Sequence, residues 1–383
     1  MRFFHLSDLH IGLKLMNHDL AEDQEHILQE IVRLAEERQP DAIVIAGDIY
    51  DKAVPSAEAV ARFDRFVTAL ARRVPQAEIM MISGNHDSAE RVNVFRQVLA
   101  RQHIHMIGRP PALPAETIAK VTLTDEYGPV NFYLLPFVKP SMVKLITGTD
   151  KDGNNFSYDE AVHRLILREE LAEQERNVLV SHQFYLSTGK DDTIERSASE
   201  MVTVGNIDSV QGDILNRFDY AALGHIHKAQ RLNGKDCYRY CGTPLACSFS
   251  EEGQQKGVIE VELGAKGDVA TTVLPLKPLR QVRTIKDTLA NVLAQPSGDY
   301  VSITLTDADD YLAGDTRDRL MACFPHLLHV GRENREQADY PLEREMAVQL
   351  SPFDLCRDFL QDMDAEEETM LASVINEVQE AGK

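Results

Sequence analysis

An α/β fold is predicted for most of this chain on three observations. From residue 1 to about 275, short apolar runs alternate with turns and helix-length amphipathic segments. The early runs are each followed at short range by a helical pattern. Five of the runs also end on a polar cluster, at the strand edge where α/β sheets expose ligands. Arg2–Leu6 is the first strand, with a helix over 19–38. Ala42–Ala46 (AIVIA) precedes a helix over 56–73, and Glu78–Ile82 (EIMMI) one over 88–101. Buried strands follow at 130–137, 177–182 and 220–225, with a helix over 158–175 between the first two. Past residue 236 only short β-type runs remain, ending with GVIEVEL and VATTVLPL.

Pro275 and Pro278 bracket the end of that region, which sets the expected boundary of a domain over 1–275. Residues 277–345 read as a small α+β module, with a helix over 286–293, a strand over 300–306 and a helix near 315–323. Residues 351–383 read as two short amphipathic helices. Phe353, Cys356, Leu360 and Met363 form the stripe of the first, and Met370, Leu371, Val374, Ile375 and Val378 that of the second. This tail holds nine acidic and two basic side chains, a net of 2 − 9 = −7.

The 383 residues fit one catalytic-scale domain plus one or two smaller units. A hydrophobic fraction of 43% with 26% charged side chains supports a large core and excludes disordered and collagen-like classes. No apolar stretch approaches the roughly 18 residues that span a bilayer, and MRFFHLSDLH breaks any signal-peptide hydrophobic region, so a soluble cytoplasmic chain is expected. Five cysteines, without paired spacing, indicate neither a disulfide framework nor a thiolate metal site; Cys237 and Cys241 are expected to pack. A formal charge of −21 excludes a protein that coats nucleic acid through its overall field, but not a local phosphate site. No P-loop pattern is visible, so ATP dependence would come from another chain.

The polar clusters are Asp8-x-His10, Gly47-Asp48-x-x-Asp51, Gly84-Asn85-His86-Asp87, His182 and Gly224-His225-x-His227. Each alone is weak, since Gly-Asp is a common turn and isolated histidines are common surface residues. Gathered at one sheet edge they would supply two carboxylates, one amide oxygen and four imidazoles, with His86 left over. Such a mixed nitrogen and oxygen set without sulfur suits two divalent ions, manganese first, with iron or zinc possible. Two such ions roughly 3.5 to 4 Å apart can activate a shared water and hold a phosphodiester for in-line attack. They also leave the site locally positive in an acidic protein. Glycine before Asp48, Asn85 and His225 lets the backbone turn close to such a cluster.

In order and spacing the five motifs resemble the calcineurin-like metallophosphoesterase superfamily. HLSDLHIG, GDIYD, GNHDSAERV, and YAALGHIHKAQ followed by YCGTPLACSFSE extend the likeness to the SbcD-like nucleases over nearly the whole chain, most weakly in 277–345. The resemblance implies an α/β/β/α sandwich core, a small α+β capping domain that helps select DNA shape, and a C-terminal helical segment. It implies one metal on Asp8, His10 and His227, the other on Asn85, His182 and His225, and Asp48 bridging both. His86 is implied to face the scissile phosphate without binding metal, and to protonate the leaving oxygen or stabilise the transition state. Asp51 is preferred over Asp87 as the carboxylate that orients it.

For function the resemblance implies a manganese-dependent 3′–5′ exonuclease on double-stranded DNA and an endonuclease on single-stranded or hairpin DNA, serving repair, replication and recombination. Residues 351–383 would dock on the coiled-coil base of an SbcC-type ATPase, giving two nuclease and two ATPase chains. KPLRQVRTIK, residues 277–286, could touch DNA phosphates or be an ordinary solvated linker, since 277–345 as a whole has a net charge of −3. The rivals are a small-phosphoester hydrolase of the same fold and a non-catalytic scaffold. A purple acid phosphatase would want tyrosine where Asp51 stands; Tyr50 is one residue early. Other histidines, including His5, and the Asp191-Asp192 and Glu251-Glu252 pairs are expected to be structural or solvated.

Overall fold

The computed structural model describes residues 1–187, 194–200, 208–307, 314–333, 352–360 and 363–381. Asp191 and Asp192, and parts of the 277–345 module and of the tail, lie outside the described residues. In chain order the large unit contains β1 (Arg2–Leu6), α1 (Ala21–Arg38), β2 (Ala42–Ala46), α2 (Ala57–Arg73), β3 (Glu78–Ile82), β4 (Ile104–Ile107), β5 (Ala119–Asp125) and β6 (Gly128–Leu135). It continues with α3 (Pro140–Thr147), α4 (Tyr158–Leu167), β7 (Arg176–His182), β8 (Tyr220–Gly224), β9 (Gln230–Leu232), β10 (Lys235–Tyr240), β11 (Gly257–Leu263) and β12 (Val269–Pro275).

These strands form two six-stranded sheets, ordered β12-β11-β1-β2-β3-β4 and β9-β10-β8-β7-β6-β5. β1 to β4 run parallel, as do β6, β7, β8 and β10. β11 is antiparallel to both β1 and β12. The central strands are apolar on both faces because both faces are covered. Phe4, Leu6, Ile43, Ile45, Ile79 and Met81 pack against Ile27 and Ile31 of α1 and Phe63, Phe66 and Leu70 of α2. The alternate residues Phe3, Val44 and Met80 meet Phe132, Val178, Tyr220 and Ala222 of the second sheet. There Phe3 is edge-on to Phe132 and Tyr220, with ring centroids 5.3 and 5.6 Å apart. The other face of the second sheet packs Leu135, Leu179 and Leu223 on Val143, Val162 and Leu165 of α3 and α4. The layers are therefore α/β/β/α, as the resemblance implies.

Local chemistry sets the element ends. Ser56 caps α2, its hydroxyl accepting from Ala59 N at 3.2 Å, and Gln39 ends α1 in a left-handed conformation. The helix expected over 88–101 is broken into Ala89–Val92, Arg96–Leu99 and a 3-10 turn at Ala100–Gln102. Phe95 breaks the helix with a left-handed φ of 57°, leaving Val94, Phe95 and Val98 exposed while Val92 is buried and Leu99 packs on the core. The helix expected over 158–175 stops at Leu167, because Arg217 takes the carbonyls of Ile166 and Glu169, and the buried Glu169 carboxylate accepts from Ile118 N at 3.0 Å. β4, β5 and β9 complete the sheets beyond the strands read from sequence, and the Tyr-rich strand around Cys237 is β10.

The large unit runs through Arg283, beyond the Pro275 to Pro278 boundary expected from sequence, and the second unit begins at Thr284. Leu276 N donates to Lys256 O at 2.9 Å, and Arg280 pairs with Glu22 and Asp23 at 2.6 and 2.7 Å. The second unit carries a three-stranded sheet of β13 (Val282–Asp287, starting two residues before the division), β14 (Tyr300–Leu305) and β15 (Leu327–Arg332). With α5 (Leu289–Leu293) and α6 (Gly314–Cys323) it closes a core around Val292, Val301, Ile303, Leu320 and Phe324. The helix expected over 286–293 is thus strand as far as Asp287, and Lys286 pairs with Glu333 at 2.7 Å. The tail forms α7 (Pro352–Leu360) and α8 (Ala365–Ala381).

Candidate metal centre

Parallel strands deliver their following loops to one edge, and both sheets open their C-terminal ends there. Asp8 and His10 follow β1, Asp48 follows β2, Asn85 and His86 follow β3, His182 ends β7, and His225 and His227 follow β8. Asp8, His10, Asp48 and His225 hold φ of 52°, 41°, 48° and 92°. L-residues adopt that region only at a cost, and such strain collects at functional sites. The glycines allow close approach: a Cβ on Gly84 would collide with Asp48 Oδ1, and one on Gly224 with Ala46 O and His182 Nδ1.

Asp8, His10 and His227 form one donor group with ligand atoms within 4.8 Å of one another. His10 Nε2 faces His227 Nε2 at 3.2 Å and Asp48 Oδ2 at 3.7 Å. Asp8 is held by the backbone N–H of His225 at 3.0 and 3.2 Å to its two oxygens. Asn85, His182 and His225 form the other group. Asn85 Oδ1 lies 3.0 Å from both His182 Nε2 and His225 Nδ1. His182 Nε2 is also 3.3 Å from Asp48 Oδ2 and 4.0 Å from Asp8 Oδ1. Asp48 lies between the groups, its Oδ1 accepting from His86 N at 2.9 Å. The structure thus brings all seven sequence-selected donors together.

Whether these residues fit a pair of cations follows from their bare atoms. His182 Nδ1 lies 2.7 Å from the Ala46 carbonyl, which only accepts, so Nδ1 carries the proton and a neutral ring turns a lone pair toward three oxygens. Such a cage is repulsive unless a proton or a cation fills it. Burial opposes charge on His182, yet Asp48 and Asp8 raise its pKa to about 9. Burial pushes the Asp8 carboxyl up to about 6, and Asp48, despite burial, is drawn well below its usual range by His182 and His86. Burial also drives His10 and His225 well down, toward the neutral form that binds metal. His10 Nδ1 and His225 Nε2 are buried with no hydrogen-bond partner. The residues fit the group.

His86 lies beside the donors, its ring edge-on to His10 with centroids 4.9 Å apart. One of its ligand atoms also lies within 4.8 Å of those of His10 and Asp48. Its Nδ1 donates to the backbone carbonyl of Asp51 at 2.8 Å, so main chain and not a carboxylate meets that nitrogen. The Asp51 carboxylate is 4.0 Å from His10 Nδ1, and burial raises its pKa. Asp87 accepts from Ile49 N, Tyr50 N and Gly84 N at 3.0, 2.9 and 2.9 Å, tying the loop after β2 to the loop after β3. Tyr50 packs its ring on Phe63.

Sequence reasoning missed the groups behind His227. Glu251, expected to be a solvated loop charge, is buried and pairs with Lys256 at 2.6 Å, because the chain after β10 folds back under the centre. Ser199 and Glu200 also reach His227. The five cysteines are free thiols, and Cys237 and Cys241 pack into the core.

The calcineurin-like phosphoesterase model matches residues 1–229. An SbcD C-terminal domain model, described as the type 5 capsule protein repressor C-terminal domain, matches residues 277–364. Similar solved structures include TT1561 of Thermus thermophilus, at 11% identity and TM-score 0.40, covering 71% of this chain and 98% of that one. GAP50, the anchor in the inner membrane complex of Plasmodium, has 14% identity, TM-score 0.39 and coverage of 72% and 89%. A dimetal phosphatase from Danio rerio has 12% identity, TM-score 0.38 and coverage of 71% and 98%. No helix among the described residues is long and apolar enough to cross a membrane. With the first family model spanning more than half of the sequence, the chain belongs to the calcineurin-like phosphoesterase family, and is a metal-dependent phosphoesterase that also carries an SbcD C-terminal domain.

Proposed function

We propose that this chain is the nuclease subunit of an SbcCD-type complex, a manganese-dependent phosphodiesterase cutting DNA as a 3′–5′ exonuclease on duplex ends and as an endonuclease on single-stranded or hairpin DNA. The observation that carries the reading is Asp48 set between two donor groups, Asp8 with His10 and His227 and Asn85 with His182 and His225. Two bound cations supply Lewis-acid polarisation of the phosphodiester, charge neutralisation and activation of water. Asp48 bridges the groups, and the glycine turns hold its loop close. His86, with Nδ1–H fixed on the Asp51 carbonyl, keeps Nε2 as the nitrogen able to carry a proton to the leaving oxygen. Iron or zinc would also suit these donors.

A macromolecular substrate is favoured over a small phosphoester by the domain matched beyond the phosphoesterase core. We take 277–345 as a capping domain, but no DNA contact is given to its basic run, since Arg280 and Lys286 are already ion-paired. Residues 351–383 are the proposed dock for an SbcC-type ATPase in a cytoplasmic assembly of two nuclease and two ATPase chains. Supporting this, Phe359 and Met370 are 86% and 71% exposed on an acidic tail. Purified protein with Mn²⁺ should cut a labelled hairpin and a blunt duplex far better than cyclic nucleotides or bis(4-nitrophenyl) phosphate. Preference for the small esters would overturn the DNA reading, and no cleavage even with the ATPase would leave a scaffold.

A further inference from the structure

His227 differs from the other buried imidazoles in what stands behind it. Its Nδ1 lies 2.8 Å from Ser199 Oγ and 3.4 Å from Glu251 Oε1, and Ser199 Oγ donates to Glu251 Oε1 at 2.7 Å. With its own hydrogen given to a carboxylate, the Ser199 oxygen can only accept, so Nδ1 carries the ring proton. Nε2 is left bare, facing His10 Nε2. Glu251 is itself fixed: its Oε2 accepts from Lys256 Nζ at 2.6 Å and from Thr243 Oγ1 at 3.2 Å. Lys256 Nζ in turn donates to the His227 carbonyl at 3.1 Å and to Thr243 Oγ1 at 2.8 Å. Both charges of the pair are buried. Ligand atoms of His227, Cys247 and Glu251 also cluster within 4.8 Å, but the Lys256 ammonium already fills the place of a cation against Glu251.

We propose that the Glu251–Lys256 pair is a positioning device for His227, which fixes its tautomer and ring direction and thereby sets the affinity of one metal site and not the other. Among the described residues the second group has no such device: the corresponding bond on His182 comes from the Ala46 carbonyl, which no side-chain change removes. A buried carboxylate behind a ligating imidazole raises its basicity and locks its orientation, and loss of such a partner costs about 10- to 100-fold in metal affinity.

The inference rests on the binuclear reading, and the experiment separates the two. Mn²⁺ is titrated into full-length protein, with stoichiometry and affinity read by calorimetry and spin coupling by EPR. Wild type should take up two coupled ions; fewer in wild type would overturn the binuclear reading itself. Glu251→Gln, and the double variant Glu251→Gln with Lys256→Met that leaves no buried charge unpaired, should keep one site at wild-type affinity. The other should weaken about 10- to 100-fold, with an uncoupled Mn²⁺ signal at intermediate loading. Ser199→Ala removes the shorter, hydroxyl-mediated link without touching the ion pair, leaves the 3.4 Å contact with Glu251, and should weaken the same site by a smaller factor, which keeps the test decisive if the other variants do not fold. Two unchanged sites in the folded variants, or equal weakening of both, would overturn the proposal.

Discussion

The nitrogen of His86 that meets Asp51 is held by a carbonyl, and a carbonyl is present whatever side chain occupies position 51. His86→Ala should therefore lower DNA cleavage by about 10²-fold or more while two Mn²⁺ remain bound, the loss expected of a general acid. Asp51→Ala should lose less than about tenfold, because the orienting bond survives. Metal analysis and turnover on one hairpin substrate check both, and equal losses would return the orienting role to the carboxylate. The donor types at five strand ends were legible because Asp, Asn and His after an apolar run are unusual as a set. The carbonyl at 51 was not, since a sequence shows side chains and not which main-chain atom faces them. Glu251 was hidden for a related reason: an acidic pair in a loop reads as solvated until its buried lysine is seen.

At the scale of elements, β1 carries His5 on the face between the sheets, where Nδ1 meets Tyr220 Oη at 3.0 Å and Nε2 meets Leu223 O at 3.2 Å. Burial lowers its pKa from 6.5 to about 3, so between those values the unfolded chain takes up a proton that the folded one refuses. Stability should fall as pH drops from about 6.5 toward 3, with His5 accounting for about 2 kcal/mol by pH 5. Urea unfolding of wild type and His5→Asn at pH 7 and pH 5 checks this: wild type should lose more than the variant, and parallel losses would remove His5 as the cause. The central strands were legible because runs such as AIVIA are covered on both sides. β5 was not read, although AKVTLTD alternates at a sheet edge as a half-buried strand does. The helix expected over 88–101 failed because the chain turns left-handed at Phe95, with Val94, Phe95 and Val98 facing solvent.

At the scale of the molecule, the centre lies in the large unit and the tail in the second. Deleting residues 351–383 should leave Mn²⁺-dependent cleavage intact and abolish association with the ATPase, read by co-purification; unchanged co-purification would move the dock elsewhere. Chelation should lower the melting temperature and Mn²⁺ restore it, since the cage of His182 and its oxygens is relieved by a cation. At 100 times the dissociation constant, a single site contributes about 2.7 kcal/mol. A melting temperature indifferent to Mn²⁺ would count against the donor assignment.

The insertion of β11 between β12 and β1 sets when such a phosphoesterase can become active. β1 must wait, with one edge open, for a partner ending at Leu263. Pairing over so long a separation is slow, and the open edge invites aggregation meanwhile. Until residue 263 has left the ribosome the chain therefore lacks both that strand and the Lys256 prop, so the phosphoesterase centre is completed only after nearly the whole large unit exists.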